Sequence, residues 1–326
     1  MNLVISTRTI FTALLLLGIF WGLYQVKEII LLFFVALIIS IALLPFIEKL
    51  EKRGFSRSVA TLLVYFSVII IFLAVLGTGI SPMVEQTTLF FSQLPRLIES
   101  VLSSPLISPI SRQVVEESTR QLASVSVNIV KITLGVFDSF LALVTVFVFS
   151  FYFSLSYERI RKRLPAFFPE EIKRKINESL SEIEKVIGGW VRGEFVLMVV
   201  IGVFSYIGLS ILRVGYVLPL SLIAGVLEIV PVIGPLLSAV PAVIVGFSGS
   251  SALGFGVLAL YIIIQQFENN FIVPRVMERA VGMSPLMTMS AILIGGKLFG
   301  IIGALLAVPV VLIFQVIIPK FFLERK

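Results

Sequence analysis

Cysteine and histidine are both absent from the 326 residues. Their absence excludes disulfides, thiolate nucleophiles, haem ligation by either residue, and most zinc and copper sites. Charge is scarce as well, with Asp, Glu, Lys and Arg together making up 14% of the chain. No Gly-rich nucleotide-binding motif of the Walker type occurs, so nothing supports direct coupling to ATP. Any chemistry must use carboxylates, amines, amides and hydroxyls. No cofactor and no metal centre is expected, and no nucleophile with its base, or paired acids of a hydrolase, stands out in the apolar stretches.

What the chain has in abundance is hydrocarbon. Hydrophobic residues make up 58% of it, and the mean hydropathy is +1.09, well outside the range of water-soluble domains. About 20 apolar residues at 1.5 Å each cross a bilayer core of roughly 30 Å, and several stretches reach that length. The expectation is an all-α integral membrane protein, a multispanning helical bundle with lipid as its surroundings. The net charge of +7 does not point to nucleic acid, because the Lys and Arg residues gather in loops between apolar runs, as they do beside membranes.

Residues 1–82 read as a three-span region. Arg8 before the run Ile10 to Leu23 resembles a signal peptide, but the aromatic cluster Phe20-Trp21-Gly22-Leu23-Tyr24 follows in place of a cleavage site. A second run extends to Phe46, and Lys49, Lys52, Arg53 and Arg57 mark a cytoplasmic loop before a third span, 59–80. Residues 83–127 are polar and charge-balanced, so they read as an external segment. Within it Ile110, Val114, Leu122, Val125 and Ile129 recur at near-helical spacing, as on an amphipathic helix lying on the membrane or on a neighbouring subunit. A fourth span, 128–155, leads to the basic segment 156–187, whose Arg159, Arg161, Lys162, Arg163, Lys173, Arg174, Lys175 and Lys185 place it in the cytoplasm with affinity for anionic headgroups. From Glu170 to Glu194 acids and bases alternate as on a solvated helix, which runs into a fifth span. Both termini are expected in the cytoplasm.

Residues 188–326 are more specific. The run 216–248 carries Glu228, Pro231, Gly234, Pro235 and Pro241. It is too long for one span and too short for two, which favours a re-entrant helical hairpin. The run 284–318 is interrupted at Gly295, Gly296 and Gly300, with Gly303 and Pro309 beyond, and reads as a second hairpin. Val232-Ile-Gly-Pro-Leu-Leu-Ser-Ala-Val-Pro241 matches Ile301-Ile-Gly-Ala-Leu-Leu-Ala-Val-Pro309 with one gap, and Glu228 falls opposite Lys297. Entering from opposite faces, the two hairpins would form an inverted repeat, an arrangement that places substrate near the bilayer midplane.

A charge at that depth needs protein, water or a partner, so Glu228 and Lys297 are candidates for a transport pathway. The alternative is kinks that serve packing, with both charges snorkelling to interface water. Asp138 in the fourth span could relay protons or be held in a helix contact by a neighbouring hydroxyl. Gln265-Gln-Phe-Glu-Asn-Asn-Phe-Ile-Val-Pro274 brings Gln266, Glu268, Asn269 and Asn270 to one helix end. There they could coordinate a cation, hydrogen-bond a polyol, or cap the helix.

The order of these features resembles the autoinducer-2 exporter-like transporter family of bacteria and archaea. The resemblance rests on Glu228-Ile-Val-Pro-Val-Ile-Gly-Pro235, on Gln265 to Pro274, on Ser284-Pro-Leu-Met287, and on Gly295-Gly-Lys-Leu-Phe-Gly-Ile-Ile-Gly-Ala-Leu-Leu-Ala-Val-Pro309. Ser284 departs from the pattern, since many members carry another residue, such as His, before the Pro. The resemblance implies a carrier in a prokaryotic plasma membrane, assembled as a homo-oligomer such as a pentamer. It also implies either export of a small polar solute or exchange of sodium for protons. Export would use Gln266, Glu268, Asn269 and Asn270 to bind hydroxyls and Glu228 for coupling. Exchange would use Glu228, Glu268 or Asp138 for proton and sodium in turn. A membrane scaffold that moves no solute is the reading of a different class, and it predicts no flux change when Glu228 is neutralised.

Overall fold

The structure is a computed structural model and describes residues 7–102, 141–276 and 283–323. Asp138 and most of the proposed external amphipathic segment lie outside these residues. The described residues are helical, with no strand among them. Helix α1 (Thr7–Gln25) runs into α2 (Lys27–Glu51) through Val26. The amide of Val26 donates to the Gly22 carbonyl, and that of Ile30 to the Val26 carbonyl, so the chain bends here without reversing. Lys27 stays on the helix and places its ammonium 4.0 Å from the centre of the Tyr24 ring, which satisfies the charge without a turn.

Helix α3 (Arg57–Leu102) has 46 residues, about 69 Å of helix and more than twice the hydrocarbon thickness. Its polar second half continues the helix through Pro95. There it buries Phe90 against Tyr216, and Gln93 accepts a hydrogen bond from the Tyr216 hydroxyl at 2.7 Å. The first half joins α2 and α4 (residues 141–163) through hydroxyls. Ser40 and Ser154 share a hydrogen bond of 2.9 Å, Tyr65 bonds Ser150 and Ser154, and Arg57 donates to the Ser154 carbonyl. Every polar group in this contact has a partner, as a buried polar contact requires.

Helix α5 (Glu170–Ile211) is the central post, touching α2, α6, α8 and α10. It crosses α6 (Val217–Leu227) at paired glycines, where a Cβ on Gly225 would lie 2.7 Å from the Met198 carbonyl oxygen. Only hydrogen fits at that distance, so the backbones touch. After α6 the chain turns through residues 228–232 into α7 (Ile233–Gly249), with Val232 at φ +69°. Gly234 presses on the Leu227 carbonyl, and Ala242 and Val245 of α7 share one core with Leu220 and Ala224 of α6.

Helix α8 (Ser251–Phe267), capped by the Ser250 side chain on the Leu253 amide, continues as a π-helical stretch Glu268–Ile272 and a last turn α9 (Val273–Val276). Helix α10 (Pro285–Ile318) has 34 residues by hydrogen bonding but is not straight, because Phe299 and Gly300 leave helical geometry, Gly300 at φ 64° and ψ −147°. The arms fold back on each other. Gly295 and Gly303 touch backbone to backbone, a Cβ on Gly295 would lie 3.3 Å from Ala307 Cβ, and the Gln315 amide reaches Met287 Sδ at 3.7 Å. In a straight helix residues 287 and 315 would be about 42 Å apart.

Among the described residues, five helices are long and apolar enough to cross a membrane, α10 among them. The fold-back divides α10 into arms of residues 285–298 and 301–318, so it is not a single straight span. Breaks therefore fall at both places where glycine and proline interrupt the apolar runs, but Pro241 and Pro309 do not make them. Each lies inside the second arm of its pair, where neighbouring helices can compensate for the missing amide hydrogen bond.

Candidate functional site

The turn between α6 and α7 brings an acid into the interior. Glu228 ends α6, is 1% exposed, and has one carboxylate oxygen with no partner. Across from it the α8 helix widens into its π-helical stretch at Glu268, which is 5% exposed. A π-helical turn shifts the register of the side chains after it, and such turns recur at functional sites. Here Gln265 donates to Glu268 Oε2 at 3.1 Å. Glu228 and Glu268 stand within hydrogen-bonding reach of each other, a contact two carboxyls can make only if they share a proton.

A third acid comes from α5. Glu194 is 3% exposed, and neither of its oxygens has a hydrogen-bond partner. All three carboxyls line one cavity of about 110 Å³, together with Trp190, Leu197, Pro231, Val273, Met283, Thr288, Val308 and Leu312. Trp190, Glu194 and Leu197 follow the i, i+4, i+7 spacing of one helix face. Among the described residues, no Lys or Arg lines the cavity. The nearby Arg192 instead donates to the Ala42 carbonyl of α2 at 3.1 Å. Three buried carboxyls with no cation among the described lining residues face a large desolvation cost, which taking up positive charge relieves.

The residues named from sequence separate into two groups. Glu228 and Glu268 meet at the cavity. Gln266, Asn269 and Asn270 are exposed on the opposite face of the same helix end, and Asn270 donates to the Gln266 carbonyl at 2.8 Å. Lys297 is also exposed, on the first arm of α10 close to its reversal. The cavity meets that arm at Thr288, and Lys297 lies about 13 Å of helix further along. The alternating charges place Glu194 at the end of a solvated helix, whereas the structure buries it. The available signal was its place one turn after Trp190 and beyond Gly188, inside the expected fifth span. A wider, open depression of about 330 Å³ lies in the basic segment beside Glu158, Arg161, Lys162 and Lys173. Its bases are paired, Arg161 with Glu184, Lys162 with Glu158, and Lys173 with Glu170.

Comparison with known proteins matches residues 10–322 to the model of the AI-2E family of transporters. Over 324 residues the chain is 26% identical to "Putative transport protein YrrI" of Bacillus subtilis, covering 94% of this chain and 90% of that one. It is 28% identical over 300 residues to "Putative transport protein YueF" of the same organism, covering 86% and 79%. A shorter likeness, 31% over 166 residues, covers 51% of this chain and 47% of a sodium-lithium/proton antiporter of Halobacillus andaensis.

Proposed function

Because the chain belongs to the AI-2E family of transporters, we propose that it is a proton-coupled secondary carrier. In this reading Glu228 and Glu268 hold the coupling proton and release it when a monovalent cation takes the cavity. The observation that carries it is the convergence of three buried carboxyls on one cavity with no basic side chain among its described lining residues. A carboxyl pair in a dry site binds either a proton or a cation, and that exclusion is what antiport needs. Export of a neutral polar solute is the weaker reading, because the amides of Gln266, Asn269 and Asn270 point away from the cavity. The likeness to an antiporter, although partial, favours the same choice. Catalysis has no part in this account.

The two fold-backs are proposed to be re-entrant and to enter from opposite faces of a prokaryotic plasma membrane. Support comes from their bases. Tyr216, at the start of α6, is tied to Gln93 in the polar half of α3. The end of α10 is tied to the basic half of α5 by Lys320 on Glu182 at 2.6 Å and by Lys175 on the Lys320 carbonyl. With the basic segment cytoplasmic by its charge, the carboxyl end of the chain is cytoplasmic too. Broad exposed apolar faces, such as Leu236, Leu237 and Val240 on α7, are left for lipid or for further copies in a homo-oligomer.

Purified protein in liposomes with a trapped pH dye tests the proposal. An inward cation gradient is expected to drive protons out, and Glu228→Gln is expected to reduce that flux at least tenfold. Equal flux in the variant would remove Glu228 from the mechanism.

A further inference from the structure

The cavity walls carry information about the cation. Seven of the eleven described lining residues are apolar, whereas a bare alkali ion wants a shell of oxygens. Among the described residues no group of three acids stands close enough to hold a metal ion. The volume of about 110 Å³ greatly exceeds that of a dehydrated metal ion. It is somewhat below the ~150 Å³ cavity that accepts benzene, a size suited to an organic ion of about five heavy atoms. Trp190 and Met283 in the wall offer a π-face and a polarisable sulfur. Glu194 is buried with both oxygens unpartnered, so a ligand of positive charge would meet a need the protein leaves unmet.

Resting on the proton-coupled reading above, we infer that the exchanged cation is a small alkylated ammonium ion held between Trp190 and the carboxyls of Glu194, Glu228 and Glu268. Such an ion matches both parts of the wall. Its charge faces the acids, its methyl groups face the aromatic and aliphatic side chains, and its weak hydration lets it enter a dry site at lower cost than sodium. Charge balances in the exchange: the carboxyl gives up its proton to one side as the ammonium ion binds from the other. No covalent bond to the ligand forms or breaks.

Liposomes with trapped pH dye test the inference using tetramethylammonium and sodium as chlorides. Tetramethylammonium is permanently charged, so it cannot cross lipid as a neutral amine. An inward tetramethylammonium gradient is expected to make the lumen alkaline at lower concentration than sodium does. Trp190→Leu is expected to raise the half-saturating concentration about tenfold, and Trp190→Phe, which keeps a ring, is expected to restore most of it. Size-exclusion profiles of both variants check folding. Proton flux driven by sodium but not by tetramethylammonium would overturn the inference and leave the proton-coupled reading standing. So would tetramethylammonium flux indifferent to Trp190→Leu. No proton flux with either cation would overturn both.

Discussion

The two fold-backs share a sequence pattern but place their charges in opposite surroundings. Gly234 and Gly303, which align in the repeat, both sit where the second arm presses on the backbone of the first, and Pro241 and Pro309 both lie within second arms. Glu228 is nevertheless buried at the first tip, while Lys297 is exposed near the second. The cavity explains the difference. It meets the α10 pair at Thr288, Val308 and Leu312, well away from its Gly300 reversal, and meets the α6–α7 pair at the tip. A shared repeat therefore transmits a way of reversing the chain, while the chemistry at each tip depends on what the rest of the bundle brings to it.

The largest way to break this comparison is at the acids. Glu228→Gln is expected to bring cation-driven proton flux in liposomes close to the protein-free rate, because the amide is nearly isosteric but holds no exchangeable charge. Next come the reversals themselves. Gly303→Val would drive a branched side chain into the Gly295 carbonyl, with a cost near the upper end for overpacking, about 3 kcal/mol. The expected readout is loss of monodisperse protein in detergent, where Gly189→Ala, which has open space, serves as control.

Gly300→Ala is expected to cost about 2 kcal/mol and lower Tm, because its backbone lies in a region open almost only to glycine. The first tip differs again, since Val232 occupies positive φ, where a β-branched residue is strained. Val232→Gly should raise Tm modestly, by roughly 1 kcal/mol of relieved strain net of the extra freedom of the unfolded chain. The smallest effect belongs to the second tip's charge. Lys297→Gln is expected to leave proton flux within about twofold, as for an exposed charge with no share in the cavity. A tenfold loss there would restore the symmetry between the tips that the structure removes.

Much of this was legible in the sequence because bilayer thickness constrains it. Apolar runs broken by Gly and Pro pointed to interruptions that the helices do show, and Glu228 was an acid in apolar surroundings, which needs a reason. What escaped depended on rotation and continuity. Glu194 ends a run of alternating charges on α5, and only the phase set by Trp190 and Leu197 separates it from the solvated acids before it. Gln266, Asn269 and Asn270 looked like partners of Glu268 by proximity along the chain, but all three are exposed where Glu268 is buried. The polar half of α3 reads as a separate external element because polarity changes at Ser81, whereas the helix continues and Phe90 joins the core shared by α5, α6, α7 and α8. The runs before and after Tyr24 read as two separate spans, yet α1 passes into α2 at a bend without reversing, and Lys27 is accommodated there by resting on Tyr24.

The central claim is that one buried carboxyl site trades a proton for a cation. Titration calorimetry of the purified protein tests it directly, with tetramethylammonium and then sodium added in two buffers of different ionisation heat. The account predicts that at least one cation binds with release of a proton, seen as a heat that changes with buffer, and that Glu228→Gln abolishes the buffer dependence. Binding heats that are the same in both buffers, or no cation binding at all, would contradict it.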